Sequence, residues 1–320
     1  MSTNISKLIV TGLCLGYMTA ALPQEYPTKP VTFVVALQPG TSSDTVARVL
    51  SPGLSAALGQ PVVIENKPGA NSLIGYEHVA KYAPPDGYTF ALVIVGDLAL
   101  LPVTAPASRL DVTKDLPPFI GLAEARYVLL TSATLPWRSL RDLLSEAKAN
   151  PGKLNFGAAT VSTRLPLASV VREAGVDVVM IPFPAGPLFT QAIISATVDL
   201  GILSEGTALS LGDRVRVLAV TGKTRSASLP DVPTLAELGF PNIQGLALTL
   251  NVRAGTPKTV RDKLYDAARK TLERPEVKAS LTRARFELVA DQSAETAEKR
   301  LSDEVKFFAD VASKTGFKPD

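Results

Sequence analysis

At 320 residues with a formal net charge of +3, the chain is long enough for two packed domains and close to electrical neutrality. That balance excludes a strongly basic nucleic-acid surface, while one cysteine (Cys14) and one histidine (His78) exclude a disulfide scaffold and a nitrogen–sulfur metal cluster. Hydrophobic residues make up 46% and aromatics only 6%, a composition suited to α/β layers.

Residues 1–22 read as an export signal. Lys7 supplies the positive start, Leu8–Leu15 the short apolar core, and Thr19-Ala20-Ala21 the small residues for cleavage near Ala21. The apolar stretch is too short and too broken for a membrane span. Cys14 lies inside it and follows Leu13 rather than a small residue, so it reads as discarded with the signal. Removing 1–21 takes away one lysine and no acid, which leaves a net charge of +2 and no thiol.

Pro27 and Pro30 keep Gln24–Pro30 extended. Val31–Leu37 is then an apolar, β-branched run of buried-strand length, broken by Pro39-Gly40. A helix is expected from about Asp44 to Leu58, ending at Gly59. A strand that ends in a small polar loop at a helix start presents unpaired amides and the positive end of a helix dipole. Pro39, Gly40, Thr41, Ser42, Ser43 and Asp44 are therefore a candidate site for a carboxylate or phosphate. The alternative is that Ser43 or Asp44 simply caps the helix.

Pro61–Glu65 is a second strand, Ile74–Tyr82 a helix, and Tyr88–Val95 a third strand. Such alternation builds a parallel sheet with helices on both faces. Further strands are expected at Tyr127–Thr131, Leu154–Ala158, Val176–Ile181, Val198–Leu203, Val215–Thr221 and Leu246–Val252. Helices are expected at Leu140–Ala149, after the Ala159–Thr163 loop, and at Thr190–Ala196. Thr256 and Pro257 read as N-cap and first residue of a long helix, and a charged helical tail runs through Lys314. The strand, hydroxyl loop and helix near 31–50 recur near 154–172. Two such units imply a cleft between domains, where small ligands commonly bind.

The chemistry on offer is limited. His78 sits in a helical stretch and reads as a surface residue, with no Ser-His-Asp triad or G-x-S-x-G elbow around it. No phosphate-cradling glycine motif occurs, and Asp86, Asp199 and Asp231 are isolated acids near turns. No catalytic residue, metal or cofactor is assigned. Hydroxyls and amides at strand ends suit binding better than turnover.

Several stretches in fixed order carry a family resemblance: YPTKPVTFVV from Tyr26, PGTSSDTVAR from Pro39, LGQPVVIENKPGAN from Leu58 and PDGYTF from Pro85. NPGKLNFGAA from Asn150, VRVLAVT from Val215, LPDVPTLAELGFP from Leu229 and AGTPKTVRDKL from Ala254 continue it. Together they resemble the Bug-type extracytoplasmic solute-binding receptors of tripartite tricarboxylate transporters. The resemblance implies an α/β fold like the type II periplasmic binding proteins, with two α/β domains and a ligand cleft between them. Residues 1–22 would be the signal peptide, 23–125 plus 249–320 domain 1, and 126–248 domain 2, with crossing strands at Tyr127–Thr131 and Leu246–Val252.

The resemblance further implies a monomeric periplasmic receptor that closes on a small anionic or carboxylate ligand and delivers it to membrane permease subunits. It implies no nucleic-acid partner. The pocket would be built from Pro39–Asp44 and from Thr160, Ser162, Thr163 and Arg164, with Phe183 and Ser204 beside them. Alternatives are a sensory protein that presents ligand to a membrane receptor, or an enzyme on a recruited binding fold. The sequence also departs from the family pattern. Thr41 and Ser42 stand where glycines are usual, which makes positive φ costlier, and Thr160 and Ser162 replace glycines in the second loop. The family's Pro-Tyr-Lys-Gly has become Pro182-Phe183-Pro184-Ala185. Arg164 either offers a guanidinium to a ligand anion or is a solvated residue at a helix start. Phe183 and Phe189 either line a more apolar pocket or pack in the core.

Overall fold

The computed structural model describes residues 26–183, 186–222, 224–241 and 243–315. The expected export signal, its cleavage point near Ala21, Cys14, Pro184 and Ala185 lie outside the described residues.

The chain first builds β1 (Val31–Val35), α1 (Ser42–Leu58), β2 (Val62–Asn66), α2 (Leu73–Glu77), β3 (Thr89–Ile94), α3 (Val95–Thr104) and β4 (Pro118–Ala125). It then makes β5 (Tyr127–Ser132), α4 (Leu140–Ala149), β6 (Asn155–Ala158), α5 (Val161–Ala174), β7 (Val179–Pro182), α6 (Gly186–Ile194), β8 (Leu200–Ser204), α7 (Glu205–Leu211) and β9 (Val215–Val220). The last stretch comprises β10 (Leu246–Val252), α8 (Lys258–Glu273), α9 (Pro275–Arg283), β11 (Glu287–Leu288) and α10 (Ala294–Thr315). The first sheet has the order β11-β4-β10-β3-β1-β2, and the second β7-β6-β8-β5-β9.

Both sheets are mixed rather than purely parallel. β1 runs parallel to β2 and β3, and β6 parallel to β7 and β8. By contrast, β10 opposes β3 and β4, and β5 opposes β8 and β9. The reason is the route of the chain. It passes between the sheets twice, at Arg126 and again after β9, and the strand that follows each passage runs back from the junction. Thus β5 and β10 each lie wholly in one sheet, and the expected limit at 248/249 falls inside β10.

Each sheet has helices on both faces, so its strands are apolar on both sides. In β1, Val31, Phe33 and Val35 face Leu50 and Leu54 of α1 and Leu264 and Leu272 of α8. Val34 and the following Ala36 face Tyr76, Leu98 and Phe308 from α2, α3 and α10. Phe33 and Phe90 stack with centroids 4.6 Å apart across β1 and β3. The second sheet is sandwiched between α4 and α5 on one face and α6 and α7 on the other.

Some boundaries differ from expectation. The apolar run beyond β3 does not continue as strand, because Val95 already starts α3. The helix from Ile74 is split into α2 and a π-helical turn at His78–Tyr82. Pro257, not Thr256, is the N-cap of α8, since the Thr256 hydroxyl donates instead to the Arg253 carbonyl at 2.7 Å.

The contact of α2 with the end of β1 admits no side chain at Gly75. A Cβ there would lie 2.6 Å from Ala36 Cβ, 2.8 Å from Ala36 Cα and 2.9 Å from the Lys67 carbonyl oxygen. Two of these are backbone atoms, so α2 would have to lift. Gly75→Ala is expected to cost about 1–3 kcal/mol, read as a lower midpoint in urea unfolding.

Candidate functional site

The first loop begins where β1 ends. Thr41, in extended conformation at φ −72°, is the N-cap of α1, and its hydroxyl accepts the Asp44 amide at 3.4 Å. The cap is therefore neither Ser43 nor Asp44. The loop's left-handed residue is Gly40 at φ 85°, so Thr41 and Ser42 occupy glycine positions without strain.

Asp44 has another task. Its side chain is buried, and Oδ2 accepts the Gly40 amide at 2.9 Å and Arg48 Nε at 2.8 Å. Oδ1 accepts Asn66 Nδ2 at 3.0 Å and Arg48 Nη2 at 3.1 Å. The Arg48 hydrogen bonds, assisted by those from Gly40 and Asn66, outweigh burial and hold its pKa down at about 2. The loop that sequence offers to a ligand anion thus carries an internal carboxylate. Because the native pKa lies below the ordinary value, Asp44 contributes its stability above about pH 4 and loses it as pH falls toward 2. Asp44→Ala should destabilise the protein by about 1–3 kcal/mol at neutral pH. The gap from wild type should narrow below pH 4 in acid-unfolding curves.

The second loop repeats the device with hydroxyls. Thr160 precedes α5, its carbonyl accepts the amides of Thr163 and Arg164, and its amide donates to Thr163 Oγ1 at 3.3 Å. Thr160 Oγ1 also pairs with Ser162 Oγ at 3.1 Å and Thr163 Oγ1 at 2.9 Å.

A cleft of about 100 Å³ lies between the two halves of the chain. Asn71, Ser72 and Asp97 line it from the first-sheet side, and Thr160, Val161 and Ser162 from the second. Leu37 is the point at which the first loop reaches it. Of the residues anticipated from sequence, Thr160 and Ser162 line this cleft, whereas Pro39, Gly40, Thr41, Ser42, Ser43 and Asp44 do not. Thr163 is buried, with its hydroxyl donated to the Thr160 carbonyl, and Arg164 sits outside the cleft lining. Phe183 packs on Phe189 with centroids 5.2 Å apart, in the apolar layer under α6. Ser204 caps α7 by accepting the Thr207 amide.

The residue that sequence reasoning missed is Asp97, in the first turn of α3. Its carboxylate accepts a hydrogen bond from Ser72 at 3.4 Å, and the Ser162 hydroxyl lines the cleft with it from the other half. Burial pushes its pKa up to about 6 against those two hydroxyls. No lysine, arginine or histidine lines the cleft with it. Behind it, buried Glu304 of α10 accepts Arg300 Nε at 3.0 Å, and desolvation raises its pKa too. Ala70, Asn71 and Ser72 have φ of 48°, 51° and 72°, a left-handed run of non-glycine residues that brings two polar side chains to the cleft. A signal was available: Asp97 is the only charged residue between 87 and 108.

A native pKa above the ordinary value means that the folded state holds an extra proton. The Asp97 contribution should therefore decline as pH rises from about 4 to 6. NMR titration of the Asp97 carboxyl should give a midpoint near 6, and Asp97→Asn should remove that part of the stability slope.

Two α/β halves joined by two passages, with a polar cleft between them, define a two-domain binding protein. A family model described as "Tripartite tricarboxylate transporter family receptor" matches residues 46–316, so the chain belongs to that family of solute-binding receptors. Protein BugT of Bordetella pertussis is 32% identical over 249 residues, covering 74% of this chain and 76% of BugT. A Rhodopseudomonas palustris protein solved with adipate superposes with a TM-score of 0.78 at 27% identity, covering 92% of this chain and 100% of its own. MatC from Rhodopseudomonas palustris, solved with bound malate, gives 0.76 at 27% identity, covering 89% and 99%. The Bug-type receptor family and its two-domain α/β fold are thus those that the sequence motifs indicate.

Proposed function

We propose that this protein is a monomeric periplasmic receptor that captures a small carboxylate between its two domains and hands it to the permease of a tripartite transporter. The observation that carries the reading is the cleft itself. The N-terminal turn of α5 brings Thr160, Val161 and Ser162 to face Asn71 and Ser72 from the other half. Hydroxyls and the first amides of α5 suit a carboxylate, since a helix start favours negative charge. The family match, and neighbours solved with malate and adipate, support the ligand class.

In this reading the moving bodies are the two sheets with their helices, hinged at Arg126 and within 221–245. Ligand would shift the population toward the closed arrangement. Export would remove residues 1–22 before the receptor acts.

A thermal-shift and calorimetry panel of dicarboxylates, tricarboxylates and amino acids tests the proposal. At roughly a hundred times its Kd, a true ligand stabilises the folded state by about 2.7 kcal/mol, a shift of several degrees in Tm. No shift with any carboxylate would overturn the ligand class.

A further inference from the structure

The cleft wall, otherwise built from hydroxyl, amide and apolar side chains, contains one negative group. Its lining includes Asp97 and no lysine, arginine or histidine. The ionisable side chains packed around Asp97 do not reverse the sign: they are Tyr76 of α2, Tyr127 of β5 and Glu304 of α10. Arg300, the cation that pairs with Glu304, is also committed to Glu124 at 2.8 Å and to the Gly245 carbonyl at 3.0 Å. The Ser72 hydroxyl donates to Asp97 but does not neutralise it.

A ligand bearing only carboxylates would therefore meet a like charge with no cation in the cleft lining to offset it, in a partly desolvated site where charges are weakly screened. A ligand with a positively charged nitrogen would pair with Asp97 while its carboxylate reached the start of α5. We propose that Asp97 is the specificity-determining residue of the cleft and selects small zwitterions, a carboxylate joined to a protonated amine, over di- and tricarboxylates. This deepens the receptor reading above and rests on it. Ser72 donates to the Asp97 carboxylate from the turn before α2, on the same side of the cleft.

Calorimetry at pH 7.5 on the mature protein, with three matched probes per chain length, tests the proposal. Each set holds a diacid, the corresponding amino acid and the corresponding diamine, for example succinate, 4-aminobutanoate and 1,4-diaminobutane. The expected result is that the best amino acid binds at least about tenfold tighter than its matched diacid. Asp97→Asn, nearly isosteric and relieved of a buried charge, should bring that ratio to within about threefold by weakening the amino acid. Circular dichroism and the thermal midpoint confirm that the variant folds, and the wild-type ratio alone decides the matter if it does not. Diacids binding as tightly as amino acids in wild type would overturn the proposal and leave the carboxylate receptor standing. An unchanged ratio in folded Asp97→Asn would likewise overturn it. Binding of diamines with no carboxylate bound would overturn the receptor reading and, with it, selection of zwitterions. No binding by any of the three would overturn both.

Discussion

The buried carboxylate of Asp44 is the interaction on which the first half of the cleft depends. It links Gly40 in the loop, Arg48 one turn along α1, and Asn66 at the end of β2. Asn66 also donates to the Leu37 carbonyl at 3.0 Å, so the ends of two neighbouring strands and one helix meet around a single side chain. A helix start attracts negative charge, and here the chain supplies that charge itself. The loop is thereby tied to its own helix and to β2 from within.

The second half is built from neutral groups. Thr160, Ser162 and Thr163 satisfy one another, and α5 starts from a hydroxyl cluster instead of an ion. The two loops look alike in sequence, each a strand end followed by Thr and Ser, yet they differ electrostatically. One is closed around an internal acid. The other turns its hydroxyls toward the space between the domains, where Asp97 faces it.

Much of this was legible in the sequence. Leu140–Ala149 and Leu246–Val252 have the limits that apolar periodicity gives them, because each is bounded by strong stop signals. The loop at Thr160 was legible for the same reason. Among the elements that escaped were α3, β4 and α7, and for α3 the cause is physical. Val95–Thr104 is apolar on nearly every side because it is buried between β3, α10 and α5, so no polar face reveals a helical period. Losing α3 meant losing Asp97, whose place in the cleft comes from its position opposite Thr160 and Ser162, far along the chain. Local pattern carries no information about such a pairing. Asp44 was visible as a site residue, but its partner Asn66 lies on another strand, so its internal role was not.

The left-handed run at Ala70, Asn71 and Ser72 has a consequence for how this cleft can change over time. Outside glycine, that conformation costs roughly 1–2 kcal/mol per residue, so the surrounding packing must hold it in place. A glycine at either lining position would relax the turn, but it would also delete a polar side chain from the cleft wall, which in the proposed function is a group offered to the ligand. If the cleft binds as proposed, stability and recognition pull on Asn71 and Ser72 in opposite directions, and mutational drift toward a sturdier protein leads toward a less discriminating one.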